Sequence, residues 1–164
     1  LESVMLRTLS QLLINQWQAD KGLTAAQEAL ELSQQLGSIS DTGECWLQVA
    51  RANMSLDDYD TAMGDVEEAR DLFRQDGDKR NEGASLMVSA LIYYTKGEVE
   101  SAGQTYMEAQ HIFVDVGDES SEALALCRIC DCNMARGDLQ KAQTAAQRAQ
   151  RIYEGLRDKS GEVG

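Results

Sequence analysis

The sequence predicts an all-α protein, a right-handed solenoid of antiparallel helix pairs, on three observations. Residues of one kind return at a step of 40: Ala62, Ala102 and Ala142; Ala29, Ala69, Ala109 and Ala149; Gly37, Gly77 and Gly117; Gly97 and Gly137. Large residues keep the same step, as in Trp46, Leu86 and Leu126, in Leu32, Leu72, Ile112 and Ile152, and in Phe73, Phe113 and Tyr153. A fixed period of this length marks stacked units that share a ribbon of core with their neighbours, not one closed core. Proline is absent from all 164 residues, so nothing breaks a helix from within. Ala, Leu, Glu, Gln and Arg are abundant and β-branched residues never cluster, which favours helix throughout.

The first unit, residues 1–37, is expected to form helices over 3–18 and 23–36. Leu6, Ser10 and Leu13 mark the inward side of the first, and Gly22, Ala26 and Ala29 that of the second. This unit diverges most, with Trp17 where later units carry Asp57, Gly97 and Gly137, as terminal repeats do. The second unit, 38–77, places helices over 41–55 and 59–75. Trp46, Ala50 and Asn53 lie on the first, Ala62, Val66, Ala69, Leu72 and Phe73 on the second, and Asp57-Asp58 at the turn.

In the third unit, 78–117, Asp78 caps a helix over 81–95 and Glu82 sits in its early turns. Leu86, Ala90 and Tyr93 follow at helical spacing, Gly97-Glu98 breaks the run, and the helix over 99–115 carries Val99, Ala102, Tyr106, Ala109, Ile112 and Phe113. Gly117 ends it with the positive φ that a C′ glycine permits. The fourth unit, 118–157, repeats the scheme over 120–135 and 139–155, with Leu126, Cys130 and Asn133, a Gly137-Asp138 turn, then Leu139, Ala142, Ala146, Ala149, Ile152 and Tyr153. Asp158-Lys159-Ser160-Gly161-Glu162 echoes Asp78-Lys79-Arg80-Asn81-Glu82, so 158–164 reads as the opening of a fifth unit. With Leu1 already in helical pattern, the ends suit either a piece of a longer array or a chain processed by loss of a transit peptide. The recurring alanines mark points where paired helices approach closely.

The net charge is −13, from 28 acidic and 15 basic side chains. Without a basic stripe the chain is not expected to bind nucleic acid or anionic membranes, and it has no apolar run long enough for direct membrane insertion. Partners that are apolar or basic fit it better. Cys45, Cys127, Cys130 and Cys132 do not form a disulfide framework, which points to an intracellular, reducing compartment: the cytoplasm, or an organelle interior if a transit peptide was removed.

The repeat pattern resembles the tetratricopeptide repeats, in a variant of 40 rather than about 34 residues. Leu86, Ala90, Tyr93, Gly97, Ala102 and Ala109 carry the resemblance, as do Trp46, Ala50, Asn53, Asp57, Ala62 and Ala69, and again Leu126, Cys130, Asn133, Gly137, Ala142 and Ala149. Tyr106 stands for the aromatic of the second helix, with Val66 and Ala146 in its place elsewhere. The chain departs from the family in lacking the closing proline and in having Asn53 and Asn133 where an aromatic is usual.

The resemblance implies a concave face lined by the first helix of each pair. By position that lining is Val4, Arg7, Gln11, Ile14 and Asn15, then Glu44, Leu47, Arg51 and Met54, then Ala84, Met87, Leu91, Tyr94 and Thr95, then Leu124, Cys127, Asp131 and Met134. Family members that grip a peptide's terminal carboxylate use Lys, Arg and Asn there. In this chain only Arg7 and Arg51 are basic, and the methionines suit an adaptable apolar groove. The binding groove is assigned to Leu47, Arg51, Met54, Met87, Leu91, Tyr94, Leu124, Asp131 and Met134.

Sites of chemistry are not expected. Cys127 and Cys130 share a helix face but Cys132 points elsewhere, and a structural zinc wants four ligands. Cys130 takes the small-residue packing position and is expected in the core. His111, the single histidine, is expected on the convex surface without a nucleophile near it. The acidic runs Asp57 to Asp60 and Asp115 to Glu122 lack the calcium-loop ladder, and the glycines form no nucleotide fingerprint. The reading is a non-catalytic protein-interaction scaffold, without cofactor or metal, that holds a helix or extended segment of a partner. Its alternatives are a structural or assembly subunit of a larger complex, an organellar one included, and a regulatory arm of a longer enzyme.

Overall fold

The computed structural model describes residues 2–16 and 18–161, with side chains through Arg157. Trp17 and residues 162–164 of the expected fifth unit lie outside the described residues. Eight helices and no strand occur among the described residues: α1 (Glu2–Asn15), α2 (Ala19–Leu36), α3 (Ile39–Ser55), α4 (Tyr59–Asp76), α5 (Lys79–Thr95), α6 (Val99–Val116), α7 (Glu119–Ala135) and α8 (Leu139–Gly161).

The period-40 glycines terminate helices by conformation. Gly37, Gly77 and Gly117 follow α2, α4 and α6 with φ of 69°, 75° and 71°. Past α4, the Gly77 N–H donates to the Arg74 carbonyl at 3.2 Å and the Asp78 N–H to Phe73 at 2.9 Å, which satisfies carbonyls the helix leaves open. Caps start the next helices: the side chains of Ser38, Asp58, Asp78 and Asp118 accept from the backbone N–H of Asp41, Thr61, Asn81 and Ser121. At the turns inside the pairs, Gly97 and Gly137 have φ of 82° and 78°, and Asp57 holds the same left-handed conformation at 61°. Arg157 stands one period beyond Gly117, and α8 runs on through Gly161 with no stop at that position.

The chain divides within α5 into two compact units, Leu1–Val88 and Ser89–Gly164. In the first unit α2 packs on α1 and α3, α3 on α4, and α1 also meets α3. Ala26, Ala29 and Leu30 of α2 pack with Cys45 and Val49 of α3, against which the half-buried Leu6, Leu23 and Trp46 rest. Small residues set the close approaches. A Cβ on Gly43 would lie 2.7 Å from the Phe73 ring, and one on Gly22 would lie 2.7 Å from Ile14 Cγ1. Two buried polar contacts cross between helices: the Ser10 hydroxyl donates to the Gly22 carbonyl at 2.7 Å and Asn53 Nδ2 to Asp65 Oδ2 at 2.7 Å. Asn53 thus exchanges the usual aromatic for a hydrogen-bonded contact between α3 and α4.

In the second unit α7 packs between α6 and α8. Ala102, Tyr106, Ala109 and Phe113 of α6, Ala123, Ala125, Leu126 and Cys132 of α7, and Ala142, Ala145 and Ala149 of α8 are buried. Gln110 donates to Glu122 at 3.1 Å across α6 and α7. The last pair departs from the period. Tyr153, in the register of the buried Phe73 and Phe113, is exposed, as is Ala146. Cys130, expected in the core, is half-buried, while Cys132 is the buried thiol. Ala50 and Ala90, the equivalents of Cys130, are fully buried.

Candidate functional site

The first helices of the pairs carry the candidate site, and each unit shows its own part. In the first unit a cavity of about 380 Å³ opens on α1, α3 and α5. Arg7, Thr8 and Gln11 of α1 line it, with Glu44, Leu47, Gln48 and Arg51 of α3 and Asn81 and Ala84 of α5. Residues three and four apart share a helix face, and the step of 40 puts Arg7 in register with Leu47, Gln11 with Arg51, and Glu44 with Ala84.

The cavity's charges are unequal in their partners. Arg7 forms an ion pair with Glu44 and lies 4.0 Å from Asp41. Asn81 Nδ2 donates to Asp78 at 2.8 Å. Arg51 is half-buried, and burial holds its guanidinium below the usual arginine range. Among the described residues that guanidinium makes no ion pair or hydrogen bond. The Gln48 Oε1 atom is buried without a hydrogen-bond partner.

Of the residues assigned from sequence to this part of the groove, Arg51 lines the cavity. Leu47 lines it too and is 5% exposed, so it presents little surface there. Met54 and Met87 are half-buried and are not among the lining residues. Thr8, Gln48 and Asn81 were missed, although Gln48 lies one turn from Glu44 and from Arg51.

In the second unit Leu91 and Tyr94 are 40% and 38% exposed on the later part of α5, and Leu124 and Met134 are 45% and 55% exposed on α7. Asp131 is exposed and accepts from Arg128 at 3.2 Å. Tyr106 is buried, and that burial pushes its hydroxyl up to about 12, with Arg128, Cys132, Asp131 and Tyr94 as its charged and polar neighbours.

A cavity of about 550 Å³ between α7 and α8 is lined by Cys127, Cys130 and Asp131 on one side and by Ala149 and Tyr153 on the other. Burial pushes the Cys130 thiol up, and Asp131 adds to the effect. His111 is exposed and borders a separate cavity of about 470 Å³ with Met107, Leu126 and Ile129. Among the described residues no three His, Cys, Asp or Glu side chains gather as a metal-binding group, and no helix is long and apolar enough to cross a membrane.

No family model matches the sequence, and no curated protein does. Solved structures match over nearly the whole chain. A Rap protein complexed with Competence and Sporulation Factor superposes with a TM-score of 0.87 at 16% identity, over 96% of this chain and 44% of that one. BtubC (BKLC) from P. vanneervenii gives a TM-score of 0.79 at 20% identity, over 94% of this chain and 64% of that one. The signal transduction ATPase of Pyrococcus horikoshii with a tetratricopeptide repeat sensor gives 0.78 at 14% identity, over 96% of this chain. The chain has the tetratricopeptide-type helical-repeat fold. It spans 25% of the Pyrococcus horikoshii ATPase, so this α-solenoid corresponds to a part of that structure. At these identities the likeness concerns the fold of helix pairs and carries no residue of a site.

Proposed function

We propose that this α-solenoid is a non-catalytic protein-interaction module that holds a segment of a partner chain on the first helices of its pairs. The observation that carries the reading is the α1–α3–α5 cavity, where three successive first helices present register-equivalent residues to one space. Exposed Leu91, Tyr94, Leu124 and Met134 on the first helices of the second unit add apolar surface of the kind that anchors a segment. The Rap protein complexed with a factor is a precedent for the fold as a binding scaffold.

The test is co-purification from the native source, with mass spectrometry of the bound chains. Leu91→Asp combined with Tyr94→Ala alters side chains already open to solvent, so the helical circular-dichroism signal should stay intact while the partner is lost. Glu108→Ala and His111→Ala, on a second helix, should leave the partner bound. The reverse pattern would move the interaction to the second helices and sink the proposal.

A second reading, a permanent subunit of a larger assembly, draws on α1, where Met5, Leu9 and Leu12 are 65%, 46% and 53% exposed. Such a row favours association. Sedimentation of the isolated chain decides between the two: a monodisperse monomer fits the adaptor, and concentration-dependent association that Met5→Ser with Leu9→Ser abolishes fits the subunit.

A further inference from the structure

We infer that copies of this chain join head to tail, the Met5–Leu9–Leu12 face of α1 on one copy seating between α7 and α8 of the next. The inference rests on the second reading above, association through α1, and names the surface that α1 meets. It starts from two faces that break the burial pattern of the repeat. Met5, Leu9 and Leu12 share one side of α1 and are exposed. One period on, Cys45, Val49 and Ala52 of α3 are all buried, and so are Ala125 and Cys132 of α7, the equivalents of Met5 and Leu12. On α8, Ala146 and Tyr153 are exposed. The equivalents of Ala146 are Ala26, Val66 and Tyr106, those of Tyr153 are Phe73 and Phe113, and all five are buried.

The two faces match because the chain already makes this contact once within itself. Ala26, Ala29 and Leu30 of α2 pack with Cys45 and Val49 of α3. Three steps of 40 carry the α2 residues to Ala146, Ala149 and Gln150 of α8, and one step back carries the α3 residues to Met5 and Leu9 of α1. Ala146, Ala149 and Gln150 line the cavity of about 550 Å³, together with Cys127, Cys130 and Tyr153. Met5 and Leu9 are larger than the Cys45 and Val49 they stand for, as filling an open seat of small residues requires, and methionine adapts to an irregular gap. The one polar residue of the seat has its partner in register. Gln110 donates to Glu122 at 3.1 Å, and Gln150 and Glu2 stand at the same two positions. In the single chain Gln150 donates to Glu154 instead, at 2.8 Å.

This is why the occupant is a second copy: both halves of one repeat contact are written in the same sequence. Nor does α8 turn back over its own face at Arg157, where α6 stops at Gly117; it runs on through Gly161. One position of the joint is mismatched. Arg74 of α4 pairs with Glu82 of α5 at 2.8 Å, and the step of 40 puts Glu154 and Glu2 at those positions. Two carboxylates meet there, so a basic residue at 154 should tighten the joint. The charge of −13 on each copy also opposes association, so the contact is measured at physiological salt or above, where repulsion is screened over about 8 Å. A contact between unlike faces leaves one of each free, and growth continues past the dimer unless the copies close into a ring.

Complementation of two variants of the full chain tests the joint by sedimentation velocity over a concentration series. Met5→Ser with Leu9→Ser removes the α1 face, and Ala146→Glu puts a charge in the seat. All three positions are open to solvent in the single chain, so helical circular dichroism should not change. Each variant alone should stay monomeric, whereas an equal mixture should form a dimer and nothing larger, because one intact α1 face and one intact seat remain. Glu154→Arg in the otherwise native chain should tighten association about two- to fivefold, while Glu108→Arg, with the same change in charge, should not. Association of Ala146→Glu at native strength, while Met5→Ser with Leu9→Ser is monomeric, means that α1 pairs with itself; the head-to-tail joint then falls and association through α1 stands. Two monomeric variants that fail to combine, or equal gains from Glu154→Arg and Glu108→Arg, likewise overturn the joint. A native chain that stays monomeric throughout overturns the joint and the second reading together.

Discussion

Two buried carboxylates of the first unit respond to pH in opposite directions. Asp65 is 8% exposed, and burial raises its carboxyl above the ordinary range, against the hydrogen bond from Asn53, which lowers it. A raised folded value means that the folded state favours the protonated form, so the contribution is greatest at low pH and is lost as pH rises through the folded value. Asp65→Asn keeps an acceptor for Asn53 and removes the buried charge. It should raise Tm at pH 7 by a few degrees, a gain that fades as the pH falls toward the unfolded Asp value of about 3.9. Glu82 is 5% exposed; burial pushes its carboxyl up, but hydrogen bonds from Lys79 at 2.7 Å and Arg74 at 2.8 Å hold it below the usual range. Its contribution is present above the unfolded value and is lost as pH falls through the folded one. Glu82→Gln should therefore lower Tm at pH 7, with the difference from wild type closing under acid conditions. Thermal melts of the two variants across pH 3–8 check both signs, and parallel curves for the pair would refute the assignment. Glu82 was legible in the sequence as an early-turn acid. Its engagement by Arg74 was not, because the two meet across the turn between α4 and α5.

At the level of helices and turns, the alanines and the left-handed positions make separate contributions. Ala69 and Ala109 are fully buried, so Ala69→Leu and Ala109→Leu should each cost about 1–3 kcal/mol by overpacking. Urea melts that show no shift in midpoint for either would remove the close-approach account of the repeat. Asp57 adopts a φ of 61° where the equivalent turns use Gly97 and Gly137. A non-glycine residue there is strained by about 1–2 kcal/mol, offset in part by the hydrogen bond from the Tyr59 hydroxyl to Asp57 at 2.6 Å. Asp57→Gly is expected to be neutral to stabilising by about 1 kcal/mol; a loss of stability would show that the Tyr59 contact outweighs the backbone strain. The helix starts and stops were largely readable, since caps and C′ glycines act locally. The end of α8 was not. Without a glycine at 157, local propensity carries the helix on through Gly161, past the expected end at 155.

Over the whole molecule, a net charge of −13 on 164 residues means that self-repulsion opposes folding. Raising NaCl from about 0.02 to 0.5 M shortens the Debye length severalfold and should raise Tm, because the ion pairs that salt weakens are mostly exposed and individually small. A falling Tm would show that the pairs around Glu82, Glu122 and Arg136 outweigh the general repulsion. The period of 40 foretold the eight helices found among the described residues and the burial of Ala62, Ala69, Ala102, Ala109, Ala142 and Ala149, because each of these follows from residues within one or two units of chain. Which first-helix residues face a cavity and which face the core was a different matter. Leu47 and Arg51 lie one turn apart on the same helix and both border the cavity, yet Leu47 is 5% exposed while Arg51 is only half-buried. Arg7 and Arg51 looked alike as the two basic residues of the groove, until the fold brought Glu44 to Arg7 and left Arg51 without an anion. Periodicity reports the face of a helix to within a turn. Burial and ion pairing depend on contacts between helices some 40 residues apart, which form when the pairs stack.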